Sequence, residues 1–314
     1  MELAATIVLP VFALIAVGNL IARTPLMDDE GVRGIGAFVY YIAIPCLMFR
    51  ALTGDVDLAA VDWKIPLAYY LATYVSALLA MAVKRICFGG GGDALAIFGM
   101  GITFPNILIL GLPLAHAAYG ELGLLICLLL TTTDSILSIG LATIQIELTR
   151  GTGRGGLWAG LRVTGRSLSR NPVVLAALFS LAWSQSGLGV PETLARLVDL
   201  TAQAALPAAL FSLGASLAGT KVAGDLREAL TWVGLKLLLH PAAILATGLL
   251  FDLPEGGLAV LLMVGVLPIG VNVFILAQHY DIIMRRTASA VVISTALAVF
   301  STAAVIAVMT DRLN

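Results

Sequence analysis

Apolar residues in this chain run in stretches of about twenty, separated by short polar clusters. That spacing matches bilayer thickness, since a crossing helix needs about 20 apolar residues at about 1.5 Å each. Ten stretches qualify: 3–22, 34–53, 64–83, 94–119, 122–147, 171–189, 195–218, 229–250, 256–280 and 287–309. The breaks include Asp28-Asp29-Glu30, Lys84-Arg85 with Gly89 to Gly92, the segment 150–170, and Arg285-Arg286. The pattern predicts an all-α integral membrane protein of ten spans, numbered 1 to 10 here in chain order. Only Glu2 precedes the first stretch and Arg23 follows it, so 3–22 reads as a retained span rather than a cleaved leader.

Composition supports this reading. The 314 residues are 60% hydrophobic and 12% charged, with mean hydropathy +1.01, whereas a soluble domain carries roughly 25% charged residues. An exterior this poor in charge belongs in lipid. A net charge of −1 gives no reason to expect a nucleic-acid partner. Cys46, Cys87 and Cys127 lie far apart and read as small apolar fillers.

The positive-inside rule orients the spans. With the N-terminus outside, thirteen basic residues fall in cytoplasmic segments: Arg23, Arg33, Lys84, Arg85, Arg150, Arg154, Arg162, Arg166, Arg170, Lys221, Arg227, Arg285 and Arg286. Only Arg50, Lys64, Arg196 and Arg312 fall outside, so both termini are expected to be extracytoplasmic, in the plasma (inner) membrane. Residues 149–170 then form a cytoplasmic linker between a first unit, 1–148, and a second, 171–314. The linker's Gly151-x-Gly153-x-x-Gly156 spells a dinucleotide fingerprint. That motif works only between a strand and a helix, and here it follows a membrane span, so it is rejected.

The two units match at a fixed offset of 162 residues. Pro10-Val11 falls on Pro172-Val173; Ala43, Pro45 and Phe49 fall on Ala205, Pro207 and Phe211; Ile107, Leu114 and Ala115 fall on Ile269, Leu276 and Ala277. Prolines within helices cost about 3 kcal/mol or more, so their recurrence carries more weight than apolar matches. Five spans per unit mean that the second enters the membrane from the opposite side. Inverted repeats of this kind belong to alternating-access transporters.

Spans 4 and 9 occupy corresponding places, and both are interrupted near mid-span. Span 4 carries Gly101, Pro105, Asn106, Ile107, Gly111 and Pro113; span 9 carries Gly265, Pro268, Gly270 and Asn272. A proline removes an amide hydrogen and loosens the carbonyls before it. In lipid such a break survives only where protein or a cavity satisfies the freed groups. The half-helix N-termini so created should offer free amides to an anion at mid-membrane. Asn106 and Asn272 can donate to a carboxylate, or can simply cap the half-helices.

Taken together, these residues resemble the auxin efflux carrier family of permeases over nearly the whole chain. The resemblance rests on Leu9-Pro10-Val11-Phe12 with Gly18, on Tyr40 to Arg50, on Asn106 with Gly111-Leu112-Pro113, and on Pro268 to Tyr280. It implies a ten-helix fold like that of sodium/proton antiporters and bile-acid symporters, with spans 4 and 9 crossing at their breaks. It further implies a scaffold of spans 1, 2, 6 and 7 (3–53 and 171–218), often dimeric. The remaining spans (64–147 and 229–309) would form a mobile domain working by an elevator-type cycle. Implied substrates are small organic carboxylates such as malate, malonate or auxin-like acids, with a substrate-binding set of Asn106, Pro105, Ile107, Gly111, Pro268, Gly270 and Asn272. Plant members carry an acid in span 3; residues 64–83 here have none, only Tyr69, Tyr70, Tyr74 and Ser76 among their polar groups apart from Lys64 and Thr73.

Two further polar groups stand out. Asp134 lies midway along span 5, where a charge costs about 2.5–3.5 kcal/mol or more and marks function by default. It reads as a proton carrier, as a sodium ligand together with loosened carbonyls, or as a brace for the crossing. Lys236, about seven residues into span 8, reads as an attractor of anions, as a partner for an acid, or as a snorkelling side chain. His116, His240 and His279 are too scattered for a ligand set and read as structural or rim groups, while Gln203 and Gln278 are candidates to line the pathway. No catalytic set, metal motif or cofactor motif is present, which sets an intramembrane enzyme aside. The alternative to a carboxylate permease, uncoupled or proton-coupled, is a sodium-coupled organic anion symporter or a sodium/proton antiporter of the same fold group.

Overall fold

The computed structural model describes residues 2–53, 62–150, 162, 165–166, 169–218 and 224–313. The Gly151–Gly156 stretch, Arg154 and Lys221 lie outside these. The described residues form helices with no strand, named here α1 (Glu2–Ile21), α2 (Asp29–Thr53), α3 (Lys64–Cys87), α4 (Gly92–Thr103), α5 (Ile107–Arg150), α6 (Pro172–Gln185), α7 (Glu192–Leu217), α8 (Leu226–Leu250), α9 (Glu255–Gly265), α10 (Val271–Tyr280) and α11 (Met284–Leu313). Six of them, α2, α3, α5, α7, α8 and α11, are long and apolar enough to cross a membrane, and apolar stretches of α1, α4, α6 and α9 are shorter.

The six long helices fall on predicted spans 2, 3, 5, 7, 8 and 10, and two of the other predicted spans are divided. Span 4 is split between α4 and the first arm of α5, which bends at Gly120 (φ 62°, ψ −145°) and runs on as span 5. Span 9 is split into α9 and α10. Proline chemistry also shapes the unbroken helices. Five-residue π-helical turns occupy Val39–Ala43, Ile107–Gly111 and Leu235–Leu239, each ending two residues before a proline (Pro45, Pro113, Pro241). Widening the turn relieves the clash between the proline ring and the preceding carbonyl without ending the helix.

Packing divides the helices into two sets. Helices α1, α2, α6 and α7 pack on one another, while α3, α4, α5, α8, α9, α10 and α11 pack among themselves. In the second set Trp232 of α8 stacks on Phe98 of α4 with ring centroids 4.4 Å apart. An ion triad binds α3, α8 and α11. Lys84 Nζ lies 2.8 Å from Glu228 Oε1, and Arg286 Nη1 lies 2.6 Å from Glu228 Oε2, with Lys84 and Glu228 both buried. Breaking such a pair would strand a buried charge, which ties the three helices into one unit. Helices α1 and α5 connect the two sets.

Candidate functional site

The two interruptions meet. Pro105 and Ile269 pair as an antiparallel bridge, in which the Asn106 N–H donates to the Pro268 carbonyl at 2.9 Å and the Gly270 N–H to the Phe104 carbonyl at 2.8 Å. Each break thus supplies the backbone partner that the other lacks, which is how non-helical chain persists in an apolar interior. Gly270 is required here for closeness: a Cβ would stand 2.8 Å from the Phe104 carbonyl oxygen.

This pairing takes up part of the polar backbone within the breaks. Within the breaks three amides are used, two by the bridge and one, on Ile269, by the Ser294 hydroxyl at 3.1 Å. Carbonyls expected to be loosened are also taken: Ser138 donates to Thr103 O at 2.9 Å and Ser301 to Val266 O at 3.1 Å. Side-chain chemistry is also left over. Asn106 Nδ2, Thr131 Oγ1 and Asp134 Oδ1 are buried with no hydrogen-bond partner, although buried polar groups nearly always have one.

A small pocket of ≈ 20 Å³ sits against the bridge, lined among others by Pro105, Ile107, Thr131, Asp134, Ser135 and Asn272. That volume suits about one water. It shares Tyr40, Asn171 and Asn272 with a vestibule of ≈ 590 Å³ that opens toward Arg166, Arg170 and His279. The vestibule runs between α2 and the start of α6 on one side and α5 and α10 on the other, so the path to the crossing follows the seam between the two packing sets.

Of the predicted residues, Pro105, Ile107, Asn272 and Asp134 line the pocket, and Asn106 lies at the bridge with its amide unused. Pro268 and Gly270 build the bridge instead of lining the cavity. Gly111 packs where a Cβ would meet Leu267 at 2.7 Å. Lys236 neither snorkels nor touches an acid, two of the three roles expected of it. Its amine is fully buried, 2.6 Å from His240 Nδ1 and 3.3 Å from the Gly265 carbonyl. His240 is likewise buried, while His116 lies 3.7 Å from Glu121 near the surface. Gln203 and Gln278 are exposed and line neither cavity. No metal-binding cluster of His, Cys, Asp or Glu occurs among the described residues.

Several residues at the site were not singled out from sequence. Thr131, Ser135 and Asn171 carry no motif of their own, Tyr40 entered only as the first residue of the Tyr40–Arg50 segment, and Asn171 caps α6 by accepting from the Val173 and Val174 amides. Arg166 and Arg170 had registered only as topology signals.

A family model described as a membrane transport protein matches residues 3–306. The chain is 28% identical over 298 residues to a candidate malonate transporter of Rhizobium meliloti (strain 1021), covering 93% of this chain and 92% of that one. It is 25% identical over 324 residues to auxin efflux carrier component 8 of Arabidopsis thaliana, covering 87% and 88%. A transporter of Methanothermobacter thermautotrophicus is 24% identical over 304 residues, covering 94% of each.

Proposed function

The chain belongs to the membrane transport protein family, the auxin efflux carrier group of permeases, and from that premise we propose that it carries small organic carboxylates of the malonate and malate class. The observation that carries this reading is the buried, unpartnered amide of Asn106 beside the paired breaks. An unused donor in an apolar interior costs about 1–3 kcal/mol, a cost that a carboxylate acceptor in the pathway would offset. The vestibule adds charge of the right sign, since Arg166 and Arg170 draw anions toward its mouth. Two asparagines and two outer arginines suit a carboxylate without burying a cation beside it. The relative named for malonate, similar along almost its entire length, points the same way.

In this reading the fold is ten spans in two inverted five-helix repeats. Helices α1, α2, α6 and α7 form a scaffold that pairs into a homodimer. The other helices move as a body, carrying Asn106, Asn272 and Asp134 past the scaffold in an elevator-type cycle. The seam position of the vestibule supports this, because sliding along that seam would expose the crossing to each side in turn. The protein sits in the plasma (inner) membrane with both termini extracytoplasmic.

Uptake of labelled malonate into proteoliposomes tests the substrate class. Malate should compete, and a neutral diamide of equal size should not; equal competition by both would overturn the reading. A second reading, sodium coupling, draws on Thr131 Oγ1 and Asp134 Oδ1, two oxygens without hydrogen-bond partners. Replacing sodium by potassium at constant potential and pH should leave flux unchanged if protons or no ion are coupled, and should abolish it if sodium is.

A further inference from the structure

Behind the small pocket, a row of buried polar groups leads from Asp134 to Lys236. The Tyr69 hydroxyl donates to Asp134 Oδ2 at 2.9 Å, and Thr73 follows Tyr69 by four residues on the same face of α3. Thr73 Oγ1 lies 2.9 Å from His240 Nε2, and His240 Nδ1 lies 2.6 Å from Lys236 Nζ. Tyr69, Thr73, His240 and Lys236 are each 0% exposed and Asp134 is 2% exposed. The row crosses α5, α3 and α8 and ends at the carbonyl of Gly265, the last residue before the break of span 9.

A brace would not need this chemistry. Apolar side chains of similar volume hold helices together without the desolvation cost of two ionisable ends. The ends do not touch, and each group between them can both give and receive a proton. While Lys236 is an ammonium it has only donors, so His240 Nδ1 accepts. His240 Nε2–H then donates to Thr73, Thr73 to Tyr69, and Tyr69 to Asp134. Every donor points toward the pocket.

Building on the carboxylate reading above, we propose that Lys236 is a proton-binding site of the transport cycle, and that Asp134, Tyr69, Thr73 and His240 are the wire connecting it to the pocket. A proton arriving on Asp134 from the pocket passes to the Tyr69 oxygen as the Tyr69 proton passes to Thr73. The Thr73 proton passes to His240 Nε2, and the proton on Nδ1 passes to the neutral Lys236 amine. Each intermediate gains one proton and loses one. Asp134 returns to carboxylate, Lys236 becomes ammonium, and every donor in the row then faces Asp134. A second proton on Asp134 leaves the row with net charge +1, which offsets one of the two charges of a bound malonate dianion. The carrier therefore takes up one proton with its anion.

The other ionisable groups acting on the ends of the row are Tyr70 and Tyr74 of α3. Neither α9 from Gly256 to Gly265 nor α11 from Thr287 to Thr310 carries a charged residue.

Calorimetry of malonate binding, repeated in buffers of different ionisation heat, counts the protons. The wild type should take up about one per malonate bound. Lys236→Met leaves a lone buried carboxyl that stays neutral throughout, so its uptake should fall to about zero while binding persists. Tyr69→Phe keeps the ring and cuts the wire; it should preserve the proton count but slow proteoliposome uptake at least tenfold, with a changed solvent isotope effect. A structural brace would instead lower thermal stability in both variants and leave the proton count unchanged. Malonate binding without proton uptake in the wild type, or with unchanged uptake in Lys236→Met, overturns the relay and leaves the carboxylate reading intact. Absence of any malonate binding overturns both.

Discussion

Two helix crossings in this protein bring backbones into contact by opposite means. Where α1 meets α7, both helices are continuous and glycine makes room. A Cβ on Gly18 would stand 2.1 Å from the Phe211 carbonyl oxygen, and one on Gly214 would stand 1.8 Å from that of Ile15. Asn19 Nδ2 donates to Gly214 O at 3.1 Å, and its neighbours on the contact are apolar. Where α4 and α5 meet α9 and α10, the helices stop and a single bridge, Pro105 to Ile269, pairs the chains instead. The first solution keeps both helices continuous, even through Pro10 and Pro207. The second trades helix bonds for a bridge and leaves side chains, Asn106 above all, with capacity unspent. A crossing made by small residues is suited to holding, and a crossing made by interruption is suited to binding.

The sharpest way to break this comparison is to enlarge the dry crossing. Gly214→Val forces a branched side chain into the Ile15 carbonyl, and neither backbone can yield without separating α1 from α7. Destabilisation of about 3 kcal/mol is expected. The purified protein should then unfold at lower temperature and elute as aggregate. Wild-type thermal stability would show that the contact at this crossing is dispensable.

Asn106→Ala should do the reverse. Its amide nitrogen has no partner to lose, so thermal stability should change by less than about 0.5 kcal/mol. Losing a hydrogen bond to a charged acceptor should nevertheless lower malonate uptake about 10- to 100-fold. A variant that unfolds early and transports normally would assign Asn106 to capping and make the two crossings alike. Asn272→Ala, at the wider junction of pocket and vestibule, should lose about tenfold by the same arithmetic.

The sequence carried the depth of most features and few of their directions. Span lengths and the paired prolines placed two interruptions at mid-membrane, and Pro105 and Pro268 do lie at the crossing, because a proline's missing amide acts wherever the chain goes. The bridge was not legible. Which carbonyl meets the Asn106 amide depends on the register between segments more than 160 residues apart. Lys236 shows the same limit. Hydropathy puts it seven residues from a helix end, compatible with snorkelling, but only packing decides that its stem turns toward His240 and Gly265. Tyr69 and Thr73 read as ordinary polar residues of a span, since the relay exists only once α3 lies between α5 and α8. Arg166 and Arg170 served the topology argument, and their place at a cavity mouth follows from where α6 begins.

The smallest expected effect lies farthest from the crossing and separates attraction from binding. Arg166 and Arg170 are exposed, so their field reaches an approaching anion through water and salt. Replacing both with glutamine should weaken apparent malonate affinity about three- to fivefold at low ionic strength, with little change in maximal rate. Raising salt beyond about 0.5 M shrinks the screening length to a few ångströms, and there the wild type and the double variant should converge. Asn106→Ala should show no such convergence, because its lost hydrogen bond lies in a buried site that salt does not screen. If salt fails to close the gap for the arginine variant, the two arginines contact the substrate directly, and the binding region extends from the crossing to the vestibule mouth.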